Sequence, residues 1–157
     1  MELFILAIVY TAFLNLGYSL IAYGFMLVVF QVTPRWSMLM GAPVIGLLML
    51  FSLGMSYILA AAYIFFGDVK HLYTVFLTLW MYSSAIFYPA DQLSGVMHQV
   101  ILQNPMYVFI HCMRKGFMYG ELPLFTEIVQ MLLWSAGIFL LGHLIFRLCR
   151  NRIMQRL

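Results

Sequence analysis

The sequence predicts an all-α integral membrane fold: about four transmembrane helices, with a re-entrant pair of short helices before the last span. Three observations carry that reading. Hydrophobic residues make up 65% of the 157 and charged residues only 8%, whereas a soluble domain carries about 25% charge. No Asp, Glu, Lys or Arg occurs in residues 3–34 or 36–67, and each run exceeds the roughly 20 apolar residues that cross a bilayer as a helix. The chain then closes on Arg147, Arg150, Arg152 and Arg156, a basic cluster of the kind that marks a cytoplasmic end. The whole of 1–157 reads as a single transmembrane domain.

The first span is expected over residues 4–30 and the second over 37–66. The connection carries Pro34 as a breaker and Trp36 as an interfacial aromatic. After the polar turn Gly67-Asp-Val-Lys-His71, a shorter apolar stretch covers 72–88 and ends at Pro89. Residues 92–113 are uncharged and long enough to cross, but Gln92, His98, Gln99, Gln103, Asn104 and His111 lie among them, with Pro105 in the middle. A span would bury too many polar groups. Two short helices meeting at Asn104-Pro105 and returning to the same side fit better, with backbone tolerated at membrane depth only where protein or a watery cavity covers it. The last span covers 128–146. Four crossings leave both termini on one side. The arginine tail makes that side cytoplasmic, together with Lys70, and leaves Arg35, Arg114 and Lys115 outside. Cys112 and Cys149 then fall on opposite sides and cannot bridge within one chain.

Thr11, Asn15 and Ser19 recur every fourth residue and share one helix face. Polar side chains in a span face a bundle interior or a cavity, so this strip either bonds to a neighbouring helix or lines a translocation path. Ser52, Ser56 and Ala60 form a second strip, most simply a close-packing face of small residues. The aromatic stretch from Trp80 to Pro89 is either an interfacial belt or a stacking surface for a ligand with apolar ring faces, such as a sugar. His71, His98, His111 and His143 lie on separate elements without metal-ligand spacing. No phosphate-binding loop with Lys-Ser or Lys-Thr is present, so nucleotide hydrolysis has no motif in this chain. The net charge of +3 sits at one end, which suits an anionic membrane surface rather than nucleic acid.

The second half resembles the C-terminal part of type 2 ATP-binding cassette permeases of the polysaccharide-export family, which move O-antigen, teichoic acid or related lipid-linked glycans. The matching stretches are Phe65-Phe-Gly-Asp-Val-Lys-His71, Tyr82-Ser-Ser-Ala-Ile-Phe-Tyr-Pro89, Asn104-Pro-Met-Tyr107 and Met113-Arg-Lys-Gly-Phe-Met-Tyr-Gly120, followed by Pro123, Gly142 to Arg147 and the basic tail. What the resemblance implies is a permease subunit in the bacterial inner membrane. It would pair with a second permease chain, bind no cofactor itself, and take ATP energy from a separate ATPase subunit. Thr11, Asn15 and Ser19 would then line the path. Tyr82, Ser83, Ser84, Phe87, Tyr88, Asn104, Pro105 and Arg114 would form the outer gate and re-entrant region, and Asp68 with Lys70 would face the ATPase. Two departures stand out. The family's Phe-Arg-Asp reads Phe66-Gly67-Asp68 here, without the rigid donor fork of an arginine. The family's first two spans and coupling segment have no counterpart before Met1, so the resemblance covers its C-terminal two-thirds. Competing readings are export of a drug or lipid, a non-transporting assembly subunit, and a membrane enzyme for which Asp91 and Glu121 are the acidic candidates.

Overall fold

The computed structural model describes residues 2–31, 35–87 and 95–156 of the chain. Every described regular element is helical: α1 (Glu2–Val29), a 3-10 turn (Trp36–Met40), α2 (Gly41–Phe65), α3 (Val69–Ser83), α4 (Val96–Gln103), α5 (Pro105–Arg114), a π turn (Lys115–Tyr119) and α6 (Phe125–Arg156). Three of these helices are long and apolar enough to cross a membrane: Tyr10–Val29, Trp36–Tyr63 and Phe125–Cys149. α1 and α2 follow the expected spans closely. α6 runs further than expected at both ends: Glu127 caps its start, and the arginine tail continues the helix past its apolar part.

The third expected span is shorter than its apolar stretch. α3 has 15 residues, a rise of about 22 Å, which by itself falls short of a hydrocarbon core of roughly 30 Å. It stops at Ser83 because the chain turns at Ala85, a non-glycine residue at φ 51°. Pro34, Tyr88, Pro89 and Asp91 lie outside the described residues.

The centre of the fold is a pair of long helices, α2 and α6, running in the same direction. Ser135 of α6, fully buried, donates its hydroxyl to the Leu47 carbonyl at 2.8 Å. Further along, Gly54 and Gly142 bring the two backbones together. A Cβ at Gly54 would lie 2.6 Å from the Ile138 carbonyl oxygen, and one at Gly142 would strike the carbonyl of Gly54. Without lipid-expelling hydrophobic force between spans, small residues that permit this approach supply the packing contact. Tyr57 then meets Phe139 and Phe146, with ring centroids 6.4 and 5.2 Å apart. Ala60 of the expected packing strip and Cys149 join the Phe146 cluster.

The main core lies at the other end of that pair, where α5 docks. Val44, Phe51, Val108, Phe109, Cys112 and Met131 form one buried cluster. The two cysteines therefore sit at opposite ends of the α2–α6 pair, both free. α1 joins through Tyr23, whose ring meets Phe117 edge-on at 5.2 Å, and no residue of Tyr10–Val29 is fully buried. No residue of α3 is buried either. The fold is thus a tight parallel pair with a docked wedge and two loosely attached helices.

Replacing Gly54 by Val drives a side chain into backbone. Overpacking costs about 1–3 kcal/mol even where side chains can yield, so G54V should reach the top of that range or fail to accumulate. Thermal unfolding in detergent checks this, with Gly46→Ala as the neutral control, since nothing lies within 4 Å of a Cβ at Gly46.

Candidate functional site

The short helices α4 and α5 meet at Asn104-Pro105, as the sequence predicts, and Asn104 turns out to be a hub. It occupies the N-cap of α5 in extended conformation, and Pro105 takes the first helical position, where its missing N–H costs nothing. The Asn104 side-chain oxygen accepts from the Met106 backbone N–H at 3.0 Å and from the Trp80 indole N–H at 2.8 Å. Its amide nitrogen donates to the Ser83 carbonyl at 3.0 Å and to the hydroxyls of Ser83 and Ser84 at 3.3 and 3.2 Å. Those hydroxyls in turn donate to the Trp80 carbonyl at 3.1 and 2.6 Å. A buried amide is costly unless both ends are paired, and here both are.

Arg114 completes the corner from the far end of α5. One guanidinium nitrogen donates to the carbonyls of Ala85 and Ile86 at 3.0 and 2.6 Å. These bonds hold the chain just past α3 while Ala85 keeps its positive φ, a conformation that costs an L-residue about 1–2 kcal/mol. Beneath them, Ala85, Ile101 and Tyr107 form a small buried cluster. The predicted corner therefore divides. Ser83, Ser84, Asn104, Pro105 and Arg114 come together inside it. Tyr82 and Phe87 stay exposed on its surface with rings 6.2 Å apart, and Tyr88 lies outside the described residues.

Two further ties lock the same end of the molecule, and neither is expected from sequence alone. Glu127 accepts from the Lys115 ammonium at 2.7 Å and lies 3.4 Å from the His111 ring nitrogen. Its second oxygen accepts from the Leu124 backbone N–H at 2.8 Å, half of a capping box. On the other side, Ser37 donates its hydroxyl to the Gly116 carbonyl at 2.8 Å and Arg35 donates to the Tyr119 carbonyl at 3.2 Å. Gly120 ends the π turn at φ 75°, with Arg35 folded over it. Leu124 offers no capping side chain of its own to mark this helix start, and Lys115, His111 and Arg35 find their partners through tertiary contact.

The remaining candidates lie elsewhere. Asp68 and Lys70 are exposed together at the opposite end, where the Asp68 carbonyl accepts from the N–H groups of His71 and Leu72. Thr11, Asn15 and Ser19 do form one exposed strip on α1. The Thr11 and Ser19 hydroxyls donate to carbonyls one turn back, at 2.9 and 3.0 Å. Glu121 is exposed, and His143 packs against the rings of Tyr57 and Phe139. Among the described residues these candidates assemble no acid-base pair; the corner organises backbone, and α1 presents an exposed polar strip.

Geometry and composition define an all-α, multi-pass membrane protein with a docked pair of short helices. Among curated proteins, the chain is similar to the O-antigen export system permease protein RfbA of Myxococcus xanthus, 26% identical over 112 residues, covering 66% of this chain and 43% of that protein. It is similar to two such proteins from Klebsiella pneumoniae. One is 29% identical over 132 residues, covering 82% of this chain and 50% of that protein. The other is 30% identical over 97 residues, covering 61% and 38%. The chain thus spans about half the length, or less, of the curated relatives it matches. These likenesses bear out the resemblance to polysaccharide-export permeases of the type 2 ATP-binding cassette class. No family model matches the chain, and no solved structure does.

Asn104→Leu removes a helix cap and leaves the Trp80 indole unpaired. Together these should cost about 2–4 kcal/mol, read as a fall in the thermal midpoint in detergent, with Trp80→Phe milder. Glu127→Gln strands Lys115, whose side chain is only 15% exposed, and should cost about 3–5 kcal/mol. The double variant K115M/E127L should recover most of that loss in the same measurement.

Proposed function

We propose that this chain is the membrane-spanning part of a permease subunit in an ATP-driven exporter of lipid-linked polysaccharide. The observation that carries the proposal is the likeness to O-antigen export permeases, which in one case extends over 82% of the chain. The geometry supports it in two ways. α1 presents Thr11, Asn15 and Ser19 on an exposed side, and an amide cannot face hydrocarbon without a partner or water. α3 has three sides: Tyr73, Leu77 and Trp80 toward α2, Leu72, Val75 and Leu79 outward, and Lys70, Thr74, Thr78 and Tyr82 as a polar strip between them, by helical spacing. Two half-polar helices held loosely on a rigid pair are suited to enclosing a hydrophilic path with a second permease chain, either a copy of this one or a related subunit.

In this reading the exposed Asp68 and Lys70 meet the ATPase subunit on the cytoplasmic side, both termini lie in the cytoplasm, and the bacterial inner membrane is the site. ATP is bound and hydrolysed by the partner. Closure of the ATPase subunits moves the loosely held helices relative to the α2–α6 pair, and the Asn104 corner keeps the outer wedge in register while the glycan passes. Tyr82 and Phe87, exposed on that corner, offer ring faces to sugars. The serine hydroxyls, committed to Asn104 and Trp80, act as structure.

The test is Asn15→Leu in cells that make the glycan and the partner ATPase. Export should fall about tenfold, equivalent to about 1.4 kcal/mol, while the amount of protein in the membrane stays constant. Unchanged export would remove the strip from the path. Loss of the assembled complex would assign it to packing.

A further inference from the structure

α2 and α3 splay apart around a cavity of about 350 Å³, within the size range of ligand pockets. Its walls include Phe51, Met55 and Leu59 of α2, Leu77 and Trp80 of α3, and Met106 of α5. Those α2 residues fall inside the candidate span Trp36–Tyr63, so the cavity lies at bilayer depth. We propose that it holds one acyl chain of a phospholipid from the leaflet at the Asp68–Lys70 end. The inference is independent of the export reading and applies to the chain whatever it transports.

Chemistry selects the occupant. None of the described lining residues is charged. Ser52, Ser56 and Ser84 contribute hydroxyls, but Ser56 donates to the Ser52 carbonyl at 2.8 Å and Ser84 to the Trp80 carbonyl at 2.6 Å. A sugar placed there would lose its hydrogen bonds to water and find few in return. A methylene chain loses none, and it gains dispersion contacts that an empty cavity forfeits.

Dimensions select the orientation. From Tyr73 to Ser84, both lining the cavity, eleven residues of α3 rise about 16 Å, close to the roughly 15 Å that is half a hydrocarbon core. Tyr73 sits at the end nearer Asp68, and its phenol is a polar handle suited to a glycerol ester. Lys70, one turn earlier on the polar strip that adjoins this side of α3, is exposed and carries the charge that complements a lipid phosphate. At the other end, Trp80, Ser84 and Met106 belong both to the cavity wall and to the Asn104 bond network. A seated chain therefore supports α3 directly beside the hub, where α3 has no buried residue of its own.

The full chain, reconstituted in phosphatidylethanolamine and phosphatidylglycerol vesicles, would be irradiated with a phosphatidylglycerol carrying a diazirine in the distal part of one acyl chain. Adducts mapped by mass spectrometry should concentrate on Met55, Met81 and Met106. Ser56→Phe should abolish those adducts while those at the outward residues Val75 and Leu79 persist, and Lys70→Gln should reduce the cavity adducts alone. Leu59→Phe fills the cavity from another position if the Ser56 variant fails to fold. Adducts confined to outward faces, retention of cavity adducts in a folded filled variant, or labelling only by an isoprenyl-chain probe would each overturn the proposal.

Discussion

A helix that ends at membrane depth leaves carbonyls without partners, and lipid offers none. At the end of α3 four carbonyls are met by side chains, and the Met81 carbonyl accepts from the Ser84 backbone N–H. Trp80 accepts the two serine hydroxyls, Ser83 accepts Asn104, and Ala85 and Ile86 accept Arg114. Asn104 is the only one of these groups that both caps a helix and bridges to another. Its oxygen starts α5 and holds the Trp80 indole, while its nitrogen closes α3. The turn at Asn104-Pro105 is held because one amide has the right number of donors and acceptors for two helix ends at once.

The rest of the molecule divides according to how firmly each element is fixed to that corner. α5 packs its Val108, Phe109 and Cys112 into the core shared by α2 and α6, and Glu127, paired with Lys115, joins the start of α6 to the end of α5. The glycine contact between α2 and α6 makes that pair a rigid spine. α1 and α3 have polar sides and no buried residue in their described cores. Among the described helices, α1 and α3 are therefore the two attached most loosely to that spine.

The same division runs through the residues that the sequence singled out at the end of α3. The family resemblance implied that Ser83, Ser84 and Asn104 belong to an outer gate and re-entrant region. In the fold they face one another, because two hydroxyls beside a buried amide lower the cost of its burial. Tyr82 and Phe87, adjacent in sequence to the same serines, are the side chains left outside. The partition within one six-residue stretch follows from helical phase and from the turn at Ala85, and neither is visible in composition.

Charge-free length, helical periodicity and the arginine cluster were enough to determine an all-α membrane chain, the boundaries of its first two spans, and a break at Asn104-Pro105. These are local properties, dictated by the hydrocarbon thickness and by the missing N–H of proline. Only the tertiary structure decided that α3 stops short, that Glu127 collects Lys115 and His111, and that Gly54 and Gly142 sit back to back. Each of those depends on groups from 12 to 88 residues apart finding one another, and in a lipid solvent such pairings are set by shape and by hydrogen-bond completion rather than by hydrophobicity, which is nearly uniform along this chain.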